Sequence, residues 1–121
     1  MEFQTSTNRY AENKEGMEIH ICKSGTSDCC KTGKLNKPDS ENFARGGFTV
    51  FDENDIGACK HFEAYFMSSN IRVYLKHYGH DGWNGSFIRI LSKNHNLYCH
   101  NHPGVISVDE GELKALTCVF E

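Results

Sequence analysis

Two runs of alternating apolar and polar residues, Ile71 to Lys76 and Ser86 to Leu91, stand on either side of a glycine-rich connection, Tyr78-Gly79-His80-Asp81-Gly82-Trp83-Asn84-Gly85. Period two puts Ile71, Val73 and Leu75 on one face and Arg72, Tyr74 and Lys76 on the other, the signature of a strand buried on one side. Asp-Gly tolerates the positive φ that tight connections between strands require. The pair is expected to form two neighbouring strands with a loaded loop between them.

The same period recurs along the chain. Met17 to Cys22 reads as a first strand, with Met17, Ile19 and Ile21 on one face. Phe48 to Phe51, Phe62 to Met67, Asn96 to His100, Val105 to Val108 and Lys114 to Phe120 read as further strands. No 3.6-residue period persists for more than about two turns, so any helix is brief. Eight short strands with Gly- and Asn-rich turns point to an all-β, antiparallel eight-stranded β-sandwich. The turn-rich stretch 23–47 is long for a structureless loop, so either a short strand hides near Gly33 to Leu35 or disulfides at Cys29 and Cys30 pin it.

At 121 residues the chain suits one domain. Residues 17–121 are assigned to it. Residues 1–16 are polar and lack an apolar stretch, so they read as a disordered arm or an expression-derived remnant rather than a secretory signal. The six cysteines, Cys22, Cys29, Cys30, Cys59, Cys99 and Cys118, favour a disulfide framework and a secreted, extracellular protein. Their pairing stays open, except that adjacent Cys29 and Cys30 are not expected to bridge each other. A net charge of −3 with scattered Lys and Arg argues against nucleic acid as a partner. No apolar run approaches the roughly 20 residues of a membrane span.

Several groups are candidates for chemistry. Trp83 either stands out as an amphipathic anchor or folds back to cap the core. Asn84-Gly85-Ser86 is an N-glycosylation acceptor pattern at Asn84. Seven histidines are many for this size, and His77/His80 and Cys99-His100-Asn101-His102 approach metal-ligand spacing. They match no standard zinc arrangement, since His100 and His102 would share a strand face while Cys99 points away. Asp52, Asp55 and Asp81 supply loop carboxylates of the kind calcium takes, and Asp109-Glu110-Gly111-Glu112 forms a second acidic loop. Neither a nucleophile elbow, a phosphate-binding glycine loop nor a zinc-protease helix is present, and bridged cysteines supply no thiolate. A catalytic role is not expected.

Ile56-Gly57-Ala58-Cys59, Val73-Tyr74-Leu75 and Gly79-His80-Asp81-Gly82-Trp83 leading into Phe87-Ile88-Arg89-Ile90 resemble a PLAT (lipoxygenase-homology) domain. The likeness is to the cysteine-containing variant of plant embryo-specific secreted proteins and spans about Met17 to Cys118. It implies an eight-stranded β-sandwich that binds a membrane lipid or a protein partner, with calcium as a possible cofactor in some members. Asp81, Gly82 and Trp83 match the family segment. Gly85 and Ser86 stand where an acidic residue is common, and the early loop lacks the run of aspartates of a calcium-loaded member. The combined expectation is a secreted, non-catalytic binding module whose end loops engage a ligand through Tyr78, His80, Asp81 and Trp83. A small disulfide-rich toxin or defence protein and a carbohydrate-binding lectin are the alternatives.

Overall fold

A computed structural model describes residues 1–9, 11–13, 15–37, 43–57, 59, 71–78, 82–92, 96–100, 104, 106–108 and 112–121. Among them are nine strands: β1 (Glu2–Thr5), β2 (Met17–Lys23), β3 (Cys29–Lys31), β4 (Phe48–Val50), β5 (Ile71–His77), β6 (Trp83–Leu91), β7 (Asn96–His100), β8 (Ile106–Val108) and β9 (Leu113–Phe120). The expected strand at Phe62 to Met67 lies outside the described residues.

Every strand pair is antiparallel, and the sheet runs β3-β2-β5-β9-β7-β6-β1-β4, with β8 also against β6. The all-β, disulfide-bonded class expected from the alternation is present. Instead of two separate layers, one sheet curls into a half-barrel. β9 makes this continuity. Its eight residues span roughly 27 Å; Leu113 to Leu116 pair with β5, and Thr117 to Phe120 pair with β7.

The inner face carries the alternate apolar residues: Met17, Ile19 and Ile21 of β2, Val73 and Leu75 of β5, Ile88 and Ile90 of β6, and Leu97 and Cys99 of β7, all buried. The assigned arm at 1–16 is a correction. Its β1 lies inside the sheet between β4 and β6, with Phe3 and Thr5 fully buried. Only one strong hydrophobe alternates in Glu2-Phe3-Gln4-Thr5, so the period is too short to register as a strand. What holds it is the partner. Phe3 packs edge-on against Phe43, Phe51 and Trp83, with ring centroids 5.1, 5.7 and 6.1 Å apart, the arrangement ring quadrupoles favour.

Trp83 is the second correction: it belongs to strand β6, not to the loop before it. Register slips between Gln4 and Thr5, which face Phe87 and Gly85 respectively, so β6 has one extra residue there. This bulge breaks the alternation at Ser86 and makes Trp83 to Gly85 look like a separate segment. The indole folds over Gly85, where any Cβ would overlap the ring. Its Nε1–H donates to Thr5 Oγ1 at 3.0 Å. Phe43 closes the cluster at a φ of 50°, a left-handed conformation that bulky residues avoid unless packing enforces it.

Three disulfides join Cys22–Cys29, Cys30–Cys59 and Cys99–Cys118. The first and third link residues directly opposite on paired strands. The second joins β3 to the turn after β4 and so restrains the long loop, as anticipated. The alternative, a short strand near Gly33 to Leu35, is corrected: the strand of this stretch is β3 at Cys29–Lys31, and Leu35 makes a single isolated bridge to Met17.

Two stability predictions follow from this packing. Trp83→Ala should cost about 3–5 kcal/mol, and Thr5→Val about 1–3 kcal/mol by leaving the indole N–H without an acceptor, both read from urea unfolding midpoints. Removing Cys30–Cys59, which spans 29 residues, should cost roughly 1 kcal/mol more than removing Cys22–Cys29, which spans seven, because the longer loop releases more chain entropy on unfolding; paired Cys→Ser variants compared by calorimetry check the order.

Candidate functional site

Of the end-loop site expected from the sequence, Tyr78 and Trp83 are among the described residues. Trp83 is 1% exposed and committed to the core, so its expected role as a ligand contact is corrected: ring and N–H are both already used. His80 and Asp81 lie outside the described residues. Tyr78 is half-buried at the end of β5, where its N–H donates to the Gly16 carbonyl at 2.9 Å. Its carbonyl accepts from Asn13 Nδ2 at 3.3 Å, while Asn13 Oδ1 accepts from the Glu15 and Gly16 amides at 2.9 and 2.8 Å. Tyr78 thus anchors the segment after β1. Lys34 and Lys76 place their ammonium groups 5.3 and 5.4 Å from its ring centroid.

Asp52 and Asp55, expected with Asp81 to hold calcium, fold onto their own turn. Asp52 Oδ1 accepts from the Asn54 and Asp55 amides, and Asp55 Oδ2 accepts from the Asp52 amide at 2.9 Å and faces Lys37 Nζ at 3.8 Å. Among the described residues no three His, Cys, Asp or Glu side chains gather as a metal site. Of the histidines, His20, His77 and His100 are described. His20 Nε2 meets Glu18 Oε2 at 2.9 Å, and buried His77 brings Nδ1 within 3.4 Å of the Tyr78 carbonyl. Asn84 lies on β6 with its amide bridging strands: Nδ2 donates to Ser107 Oγ at 3.3 Å, and Oδ1 accepts from Asn8 Nδ2 at 3.1 Å.

Exposed apolar and aromatic side chains gather on a surface that alternation alone assigns to solvent. On the outer face of β4, β1, β6, β7 and β9, direct cross-strand neighbours run Val50, Glu2, Arg89, Tyr98, Val119. A second row runs Phe48, Gln4, Phe87. Phe48 and Phe87, Phe87 and Tyr98, and Tyr98 and His100 have ring centroids 6.5, 5.3 and 5.3 Å apart. Phe48 and Val50 at one end of the face are 50% and 47% exposed and Val119 at the other end is 50% exposed, large values for apolar side chains.

Arg89 sits at the centre. Its guanidinium carbon is 5.4 Å from the Phe87 centroid and 5.6 Å from that of Tyr98. Nε donates to Glu121 Oε1 at 2.9 Å, Nη2 to Glu121 Oε2 at 3.4 Å, and Nη1 is 3.7 Å from Glu2 Oε1. The group is oriented before any ligand arrives. A signal for this surface is present in the sequence: Phe87 in SFIRIL, Tyr98 in NLYCH and Val119 in TCVF are apolar where a one-sided strand would be polar.

No family model, curated protein or solved structure matches the chain. Among the described residues no helix is long and apolar enough to cross a membrane. Three disulfides in a small β domain match an oxidising, extracellular setting.

Burial, together with the charge and hydrogen bond of Glu18, raises the Tyr78 phenol above its ordinary value of 10.0. Because the folded value lies above the unfolded one, this stabilisation is complete below the ordinary phenol range and is lost as pH rises through the raised value. Ultraviolet titration should show the Tyr78 phenol ionising above its ordinary value, and Glu18→Gln should lower it.

Proposed function

We propose that the protein is a secreted, non-catalytic binding module that docks a protein partner on the outer face around Arg89. The carrying observation is the row Phe48, Phe87, Tyr98 and His100 with a pre-oriented arginine over two of its rings. Aromatic residues and arginine are the types that concentrate binding energy at protein interfaces, inside a rim of polar groups. Here Glu2, Gln4, Thr117 and Glu121 supply polar groups on or beside the face.

This reading is favoured over the lipid and glycan alternatives by the same geometry. Seating the patch in a bilayer would draw Arg89 and its two carboxylates toward hydrocarbon, which is costly. A sugar stacks best on level rings, whereas Phe48 and Phe87 are inclined at 57°, Phe87 and Tyr98 at 34°. The PLAT-like segment supports a partner-binding role but contributes Trp83 to the core rather than to the surface. In a secretory pathway Asn84 would carry a glycan at the β1, β6 and β8 junction, away from the Arg89 row.

The test combines capture and measurement. Benzophenone-bearing phenylalanine at position 48 should cross-link a discrete protein from the organism's extracellular fluid. With that protein purified, Phe48→Asp and Val119→Asp should each weaken binding roughly tenfold, and Arg89→Ala should cost about 2 kcal/mol or more, all without lowering the unfolding temperature. Affinity indifferent to these changes, or binding to neutral vesicles or a glycan array in place of a protein, would overturn the reading.

A further inference from the structure

The other half of the outer face has a different chemistry. Strands β3, β2 and β5 place two rows side by side there: Cys29, Cys22, Arg72 and Lys31, His20, Tyr74. With the β2–β3 turn they line a cleft of about 340 Å³ that also includes Lys23, Gly25, Thr26, Ser27 and Leu113, within the lower range of ligand pockets. The Cys22–Cys29 bridge forms part of its wall and ties the turn to the sheet.

Charge is unevenly distributed across this cleft. Lys23, Lys31, Arg72 and Lys76 stand on or beside it, against Glu18 and Asp28. Both carboxylates are engaged: Asp28 with Lys23 at 3.4 Å, and Glu18 with His20 at 2.9 Å and with the Tyr78 phenol. Among the described residues Lys31 and Arg72 make no ion pair. Their positions are two strands and one row apart, roughly 12 Å between Cα atoms, a gap that two such long side chains span over His20 and the disulfide. A chain of net charge −3 thus carries a local excess of cations with two heads uncommitted.

We infer that this cleft binds the sulfate ester of a sulfated polysaccharide. A tetrahedral oxyanion matches the planar fork of Arg72 and the point charge of Lys31, with the Tyr74 hydroxyl as a further donor. Phosphate shares that chemistry; the oxidising setting indicated by the three bridges favours the sulfated chains of the extracellular space over phosphorylated groups held inside cells. The site is separate from the Arg89 row and does not depend on the partner reading.

Titration calorimetry with a heparin oligosaccharide and its desulfated counterpart tests it. The sulfated form should bind and the desulfated form should not, with affinity falling in high salt. Arg72→Gln and Lys31→Gln should each weaken binding roughly tenfold, Arg72→Lys less so, while Arg45→Gln, in the turn before β4 and outside the cleft lining, and Phe48→Asp leave it unchanged and every variant keeps its unfolding temperature. Equal binding of both oligosaccharides, an equal loss in Arg45→Gln, or binding only to vesicles containing phosphorylated lipid would overturn the inference.

Discussion

The contact on which the rest of the structure depends is the Trp83 indole lying across Gly85, edge-on to Phe3, with its N–H held by Thr5. An indole has a large apolar area and one donor that must be satisfied when buried. Burying it here requires a glycine beneath it, an aromatic beside it and an acceptor at its end. Two of those three come from β1. The need to complete the indole's surroundings is therefore what draws residues 2–5 into the sheet between β4 and β6.

That placement sets the geometry of the outer face. Because β1 stands between β4 and β6, Phe48 and Phe87 both face Gln4, while Val50 and Arg89 both face Glu2. Remove β1 and the two halves of the aromatic row have no strand between them to hold their spacing. The bulge at Ser86 contributes as well, turning Phe87 and Arg89 outward on a strand whose first residues point Trp83 inward. Core and binding surface are two sides of the same register. One disulfide works at an end of the sheet path, across β2 and β3, one at its middle, across β9 and β7, and one runs from β3 to the turn after β4. They leave the cationic cleft on one half and the aromatic row on the other.

Much of the fold was legible from alternation. β7 appears where the period places it, and β2, β4, β5, β8 and β9 within a residue. The inward faces of β2 and β5 were read correctly. Bridging of all six cysteines followed from their number and the small domain. Two things were hidden by short-range causes. β1 has a single strong hydrophobe, and its burial depends on Trp83, 80 positions further on. The bulge at Ser86 interrupts the period, so Trp83 looked like part of a loop. The site was less legible than the fold, because the outer row is assembled from one or two residues on each of several strands. Only register, which the sequence does not display, lines up Phe48, Phe87, Tyr98 and Val119.

Trp83 is the sole tryptophan, so its fluorescence reports on the central contact without interference. Steady-state emission with acrylamide as quencher measures its access to solvent. A blue-shifted, weakly quenched signal that persists in Phe48→Asp and becomes accessible only on unfolding is the result predicted by an indole locked between β1 and β6. Strong quenching in the native protein would contradict it and return Trp83 to the surface as a candidate ligand contact.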